Sequence, residues 1–265
     1  MRRNWLAALG VALLVMGTAH TLRGDDKRPT PSFGALETMS PEAARAKALA
    51  WLKEVGKTDP QTTQRAEAIW VQEERPILDR LADTFTLGCS DAAKLMADAQ
   101  DPLVPMAQAV PDVLKNPKCS AFFRNNLGLA YARALSIRRG HDEALLVLKG
   151  IPVEQVAVPN TYLFTRAVCE HATLQRTEAT RSIVRLLEDG AGAPERYRTV
   201  SALMLLDMQT WKEKDLGAVA RKMNVIGERL DVAKGGPQTQ KLQKEVILRL
   251  DELIKELENK AKGGS

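Results

Sequence analysis

Aromatic residues are scarce: four tryptophans, three tyrosines and five phenylalanines make up 5% of the 265-residue chain. A β-sandwich fills its faces with aromatic and β-branched side chains, so a shortage of this size argues against one. The three histidines are His20, His141 and His171. His20 falls in an export segment. His141 reads as a solvated turn residue or a helix cap. His171 follows Cys169 and Glu170, and consecutive residues on a helix point to different faces, which makes a poor metal trio. No H-E-x-x-H, G-x-S-x-G, phosphate-binding loop or G-x-G-x-x-G pattern occurs. The expectation is a non-enzyme: catalytic residues none, cofactor none, metal none.

Cysteine is equally sparse. Cys89, Cys119 and Cys169 form no C-x-x-C pair, which excludes a zinc ribbon or a thioredoxin-like motif. Two readings stay open: three small buried hydrophobes, or a Cys89–Cys119 pair flanking the irregular segment 100–118 in an oxidising compartment. Charge of one sign is lacking too. The net charge of +5 falls to +2 once residues 1–24 are set aside, leaving 35 basic against 33 acidic residues. That is no footprint for nucleic acid, which needs a basic face. The mixed-sign stretches 72–75 and 195–198 read as solvated surface.

Long hydrophobic runs are missing as well. Trp5 to Met16 is apolar but shorter than the ~20 residues a bilayer span requires. With Arg2 and Arg3 before it and Gly17-Thr18-Ala19 after it, residues 1–24 read as a cleavable signal peptide, cut after Ala19 or Gly24. An uncleaved anchor is the rival reading. No cysteine follows to carry a lipid. Either way the body is expected outside the cytoplasm, periplasmic or secreted, with no integral span in the mature chain. Residues 25–39, with Pro29 and Pro31 and little apolar content, read as a disordered linker.

What remains is helical. Hydrophobic residues at 45% and charged residues at 27% are ordinary for a globular chain, and alanine and leucine dominate. Ser40-Pro41-Glu42 is a helix start, a hydroxyl cap followed by proline and an acid. The helix it opens buries Ala44, Ala48, Trp51 and Leu52 and stops at Gly56. A second runs from Pro60 to Glu74, with Ala66, Ile69 and Trp70 inward. Trp51 and Trp70 read as core rather than as a ligand-stacking pair. A third covers 76–87 and a fourth follows Ser90-Asp91. Four prolines at 102, 105, 111 and 117 forbid a long helix over 101–117, a boundary or an ordered loop over the core.

From Asn125 to Gly150 the chain reads as a helical hairpin. Leu127, Tyr131, Ala134 and Leu135 share one face. Gly140, able to adopt a left-handed conformation, stops the first helix. Asp142 and Glu143 open the second, and Gly150 and Pro152 end it. Leu127-Gly128-x-x-Tyr131 followed by Ala144-x-x-x-Leu148 resembles a tetratricopeptide repeat. Arg124 stands at that family's tryptophan position, and Tyr131 and Ala144 are about one helical turn further apart than its pattern. The resemblance implies an α-solenoid whose groove binds a protein or peptide segment, with no catalytic residues. Another pair of helices starts at Pro159 and at Thr177. Ala179 lies 35 positions after Ala144, close to the ~34-residue period of the family.

Pro194 begins a helix through Trp211 with Tyr197, Val200, Leu203, Met204, Leu206 and Met208 as its expected core. Leu216, Val219, Met223, Ile226 and Leu230 then form a heptad seam, Gly235-Gly236-Pro237 turns the chain, and Val246, Leu250, Leu253 and Leu257 form a second seam widened by Ile247 and Ile254. The spare apolar face of this hairpin packs on the repeats or pairs with another copy. Residues 194–259 also resemble an uncharacterised family of exported bacterial helical proteins, which implies export and a helical body.

The expected fold is therefore all-α: an antiparallel helix-hairpin stack (α-solenoid, tetratricopeptide-like) closed by a C-terminal hairpin. Its divisions are 1–24, 25–39, 40–117, 118–212 and 213–265. The expected function is protein–protein interaction or scaffolding in the cell envelope, through a groove over residues 118–212. The alternatives are a structural protein that oligomerises through residues 213–265, and a helical hydrolase or lyase acting on cell-wall carbohydrate, which would need an acidic cleft.

Overall fold

The computed structural model describes residues 34–263. The expected signal peptide and residues 25–33 of the expected linker lie outside it. Among the described residues the chain is all-helical, without a β-strand. The helices are α1 (Pro41–Glu54), α2 (Pro60–Val71), α3 (Ile77–Gly88), α4 (Ser90–Gln100), the single turn α5 (Asp112–Lys115), α6 (Ala121–Ile137), α7 (His141–Leu148), α8 (Pro159–Ala172), α9 (Arg176–Glu188), α10 (Glu195–Gln209), α11 (Leu216–Asp231) and α12 (Pro237–Gly263).

Local chemistry sets most of these limits. Ser40 Oγ accepts from the Ala43 N–H at 3.2 Å, and Asp59 Oδ1 accepts from the Thr62 N–H at 2.8 Å, each satisfying an otherwise orphaned helix donor. Ser120 caps α6 in the same way, accepting from the Phe123 N–H at 3.3 Å. The first helix of the hairpin therefore begins well before Leu127 and brings Phe122 and Phe123 with it.

Gly140 does not take the left-handed conformation expected of it. Arg139 does, at φ 61°. The Gly140 N–H then bonds Leu135 O at 2.8 Å and the Arg139 N–H bonds Ser136 O at 3.0 Å, a Schellman ending. Leu174, expected on the helical face, is the matching left-handed residue after α8. It repeats the turn 35 positions on, with the Gln175 N–H on Glu170 O at 2.8 Å.

The helices pack in overlapping triads. α3 lies on α4 and α6, and α4 on α6. The same arrangement recurs for α6, α7 and α8, and again for α8, α9 and α10. Buried asparagines mark equivalent points. Asn126 Oδ1 accepts from the Ala157 N–H at 2.7 Å, and Asn160 Nδ2 donates to Ala191 O at 2.9 Å. Each ties a helix to the loop that leads into a later one.

Contacts cross two of the divisions expected from the sequence. Residues 101–117 are no boundary: one apolar cluster joins Trp51, Phe85, Phe123, Leu127 and Ala157 from both sides of the break. The end of the linker is also fixed. The Leu36 N–H bonds Asp189 O at 2.9 Å and Leu36 O accepts from the Ala191 N–H at 3.2 Å, while the Met39 N–H bonds Ala157 O at 2.8 Å. With Leu36 buried in the core, residues 34–39 run as a strap. Their few apolar side chains and their backbone both find partners, which composition alone does not reveal.

The expected cores of the last three helices shrink. In α10, Tyr197, Met204 and Met208 are buried, but Val200, Leu203 and Leu206 are 40%, 59% and 58% exposed. Of the apolar side chains of the C-terminal hairpin only Val219, Ile226 and Val246 are buried, with Leu242, Leu250 and Leu253 around them. Leu216, Met223, Leu230, Ile247, Ile254 and Leu257 are exposed. The hairpin meets the stack along its turns through charge. Arg229 pairs with Asp142, Lys234 pairs with Glu143, and Gln238 Nε2 donates to Asp142 Oδ1 at 3.2 Å.

Candidate functional site

A cleft of about 630 Å³ lies between α1, α2 and the first turn of α3. Glu42, Arg45, Leu49, Trp70, Glu73 and Arg80 line it. This is outside the 118–212 groove expected from the sequence. The cleft lined within that span has about 230 Å³, between the 151–154 loop, α8 and α9. Beneath it Glu170 is fully answered, by Arg166 Nε at 2.7 Å and Ser182 Oγ at 2.6 Å. A satisfied buried pair of this kind holds the two helices together.

In the α1–α3 cleft the central group is Arg80. It is 4% exposed and its Nε has no hydrogen-bond partner. Its Nη1 reaches Trp70 O only at 3.5 Å, too long to count for much. The guanidinium carbon lies 5.0 Å from the centre of the Trp70 ring, a cation–π arrangement. That ring is fixed in turn: Trp70 Nε1 donates to Thr84 Oγ1 at 3.0 Å, and Thr84 Oγ1 donates to Arg80 O at 2.7 Å. Trp70 is thus core, as expected, and also forms a wall of the cleft. Trp51 is core as well, stacked on Phe123 at 4.8 Å.

Two carboxylates stand at the rim. The Glu42 carboxyl is held below its usual range, first by its own backbone N–H, then by the Ser40 hydroxyl, and more weakly by the Arg80 charge. Arg45 is paired with Glu67 across α1 and α2. The cleft therefore offers one buried cation without a hydrogen-bonded carboxylate, an indole face, and carboxylate acceptors at the edge. It holds no nucleophile–base pair.

Position-based reasoning passed over Arg80, yet the signal was there. Ile77, Arg80, Leu81 and Thr84 lie at the i, i+3, i+4 and i+7 spacing of one helix face, and a charge on an inward stripe is rare without a purpose. Asp83, on the other side of α3, has its carboxyl pushed up, chiefly by burial, and is paired with Arg75.

His141 and His171 sit apart from this cleft. His141 is the first residue of α7, neither a solvated turn residue nor a C-cap. Its Nδ1 is buried without a partner, and burial pushes its pKa down. His171 Nε2 lies 2.9 Å from Asp207 Oδ2, and the same oxygen accepts from Trp211 Nε1 at 3.0 Å, which pins α8 to α10. No group of three His, Cys, Asp or Glu is placed to hold a metal ion among the described residues, and no described helix is long and apolar enough to cross a membrane. Cys89, Cys119 and Cys169 are unbridged in this structure. Compared with known proteins, the chain matches no family model, no curated protein and no solved structure.

Proposed function

We propose that the protein is an exported, non-catalytic helical-repeat protein that holds a segment of another protein in the cell envelope. The α1–α3 cleft receives an acidic group of that segment, its carboxylate meeting Arg80 and its backbone N–H groups meeting Glu42 and Glu73. The observation that carries this reading is the Arg80 guanidinium, 4% exposed with an unpartnered Nε. Burying a cation is costly unless an anion and hydrogen bonds compensate, so a carboxylate entering the cleft gains more there than in water. The recurring triads and the 35-residue step between the Arg139 and Leu174 turns support a tetratricopeptide-like stack as the scaffold.

The test is capture of partners from envelope extract by the wild type and by Arg80→Lys. Lysine keeps the charge but loses the planar fork of donors. Loss of the captured protein with circular dichroism unchanged supports the reading. No partner above background with the fold intact sinks it. Export is checked by the mass of the mature chain, with cleavage after Ala19 or Gly24 expected.

A second reading rests on α12. Ile247, Ile254 and Leu257 are more than half exposed and lie at i, i+7 and i+10, on one side of the helix, so a second copy can cover them. Deleting residues 213–265 and measuring mass in solution decides it: a loss of oligomers favours this reading.

A further inference from the structure

We propose that Cys89 and Cys119 form an intramolecular disulfide that closes a loop made of α4 and the proline-rich segment. Cys89 closes α3 and opens α4, and its N–H donates to Phe85 O at 3.0 Å. Cys119 immediately precedes Ser120, the cap of α6, and its N–H donates to Asn116 O at 3.1 Å. These two helix ends meet. α3 packs on α6. Phe85 lies edge-on to Phe122 at 5.9 Å and to Phe123 at 5.1 Å, and Trp51 stacks on Phe123. A methyl group on Gly88, next to Cys89, would fall 2.5 Å from the Trp51 ring.

Both cysteine side chains pack against this one aromatic cluster. Both are partly exposed, so an oxidant can reach them. Burial raises the Cys119 thiol pKa, and the neighbouring Cys89 raises it further. Cys169 is excluded as a partner. It is fully buried in the core that contains Leu135 and Leu148, and burial pushes its thiol up to about 12.

The bond forms by exchange with a small disulfide such as oxidised glutathione. One protein thiolate attacks a donor sulfur, the donor S–S bond breaks, and one glutathione leaves as thiolate and takes a proton. The second cysteine then attacks the mixed disulfide and expels the second glutathione. Two protein thiols give up two electrons and two protons, and the donor becomes two thiols. The closed loop carries α4, α5 and all four prolines of residues 101–117. Closing it removes freedom from the unfolded chain. In the cell the bond rests on the export reading, because an oxidising compartment is needed. In vitro it does not.

The purified full-length chain is equilibrated over a series of oxidised-to-reduced glutathione ratios, alkylated in denaturant, and mapped by mass without reduction. The expected result is a Cys89–Cys119 linked peptide with Cys169 alkylated. The thermal midpoint should also be higher oxidised than reduced, a difference kept in Cys169→Ser and lost in Cys89→Ser and Cys119→Ser. Three alkylated cysteines at oxidising ratios, separate glutathione adducts on Cys89 and Cys119, or a linkage through Cys169 overturns the proposal. The wild-type map decides even if a serine variant fails to fold.

Discussion

Gly88 is small because α3 ends against an indole: an added methyl would lie 2.5 Å from Cη2 and Cζ3 of Trp51. That ring is stacked on Phe123 and has nowhere to go. Gly88→Ala should therefore destabilise by ~1–3 kcal/mol, the range for overpacking a tight core. At Gly128 the nearest atom to an added methyl is the Cδ1 tip of Ile151, at 2.9 Å. That atom can rotate away, and alanine regains ~1 kcal/mol of helix propensity. Urea midpoints of the two variants should differ, with Gly88→Ala clearly the lower. His141 makes a second prediction at this scale. Burial, opposed by Glu228, Asp142 and Glu143 and aided by Lys234, places its folded-state pKa below the ordinary 6.5. Its contribution to stability is thus complete above the unfolded value and is lost as pH falls through about 6.5 toward the folded one. His141→Gln should narrow the stability gap between about pH 7.5 and about pH 5, followed by thermal melts at both.

Among the elements, the segment 101–110 owes its shape to one side chain from another helix. Arg138, just past α6, donates from Nη1 to Asp98 O at 3.1 Å and to Ala99 O at 3.3 Å. Its Nη2 donates to Pro102 O at 3.3 Å and to Val104 O at 2.7 Å. The proline-rich loop cannot satisfy its own carbonyls in a helical ladder, so an arginine does it. Arg138→Ala should leave the helices in place and raise amide exchange and protease cleavage within 101–110. The turns make a further case. Ala233 ends α11 in the left-handed conformation at φ 59° and is exposed. Ala233→Gly removes a strain of ~1 kcal/mol and should raise the thermal midpoint. Four prolines forecast an irregular segment here; the side chain that orders it lies some 30 positions further along the chain and has no local signature.

At the scale of the whole molecule, the C-terminal hairpin is a satellite with its own small core, latched to the stack by ion pairs. The pair of Lys234 with Glu143 is 10% and 6% exposed, and that of Arg229 with Asp142 is 13% and 28% exposed. Pairs so far out of water are screened weakly by salt, but removing one partner strands a buried charge, at ~3–5 kcal/mol. Glu143→Ala should thus release α11 and α12 from the stack. Faster proteolysis around residues 210–216 and a larger radius of gyration in solution scattering should accompany an intact helical spectrum. The apolar periods of the sequence are enough for every described helix but the single turn α5, since caps such as Ser40 and Asp59 and prolines such as Pro41, Pro60 and Pro159 act within one turn. The 35-residue step was legible too: Ala144 and Ala179 are both fully buried, and the left-handed turns at Arg139 and Leu174 stand the same distance apart. Burial is another matter. Val200 and Val246 occupy equally apolar stripes, yet one is exposed and the other buried, because a stripe needs a facing helix and only long-range packing supplies one. For the same reason the sequence places Arg80 on an inward stripe of α3 but does not supply its surroundings; it becomes the centre of a cleft only once α2 packs beside it and Trp70 is set in place by Thr84.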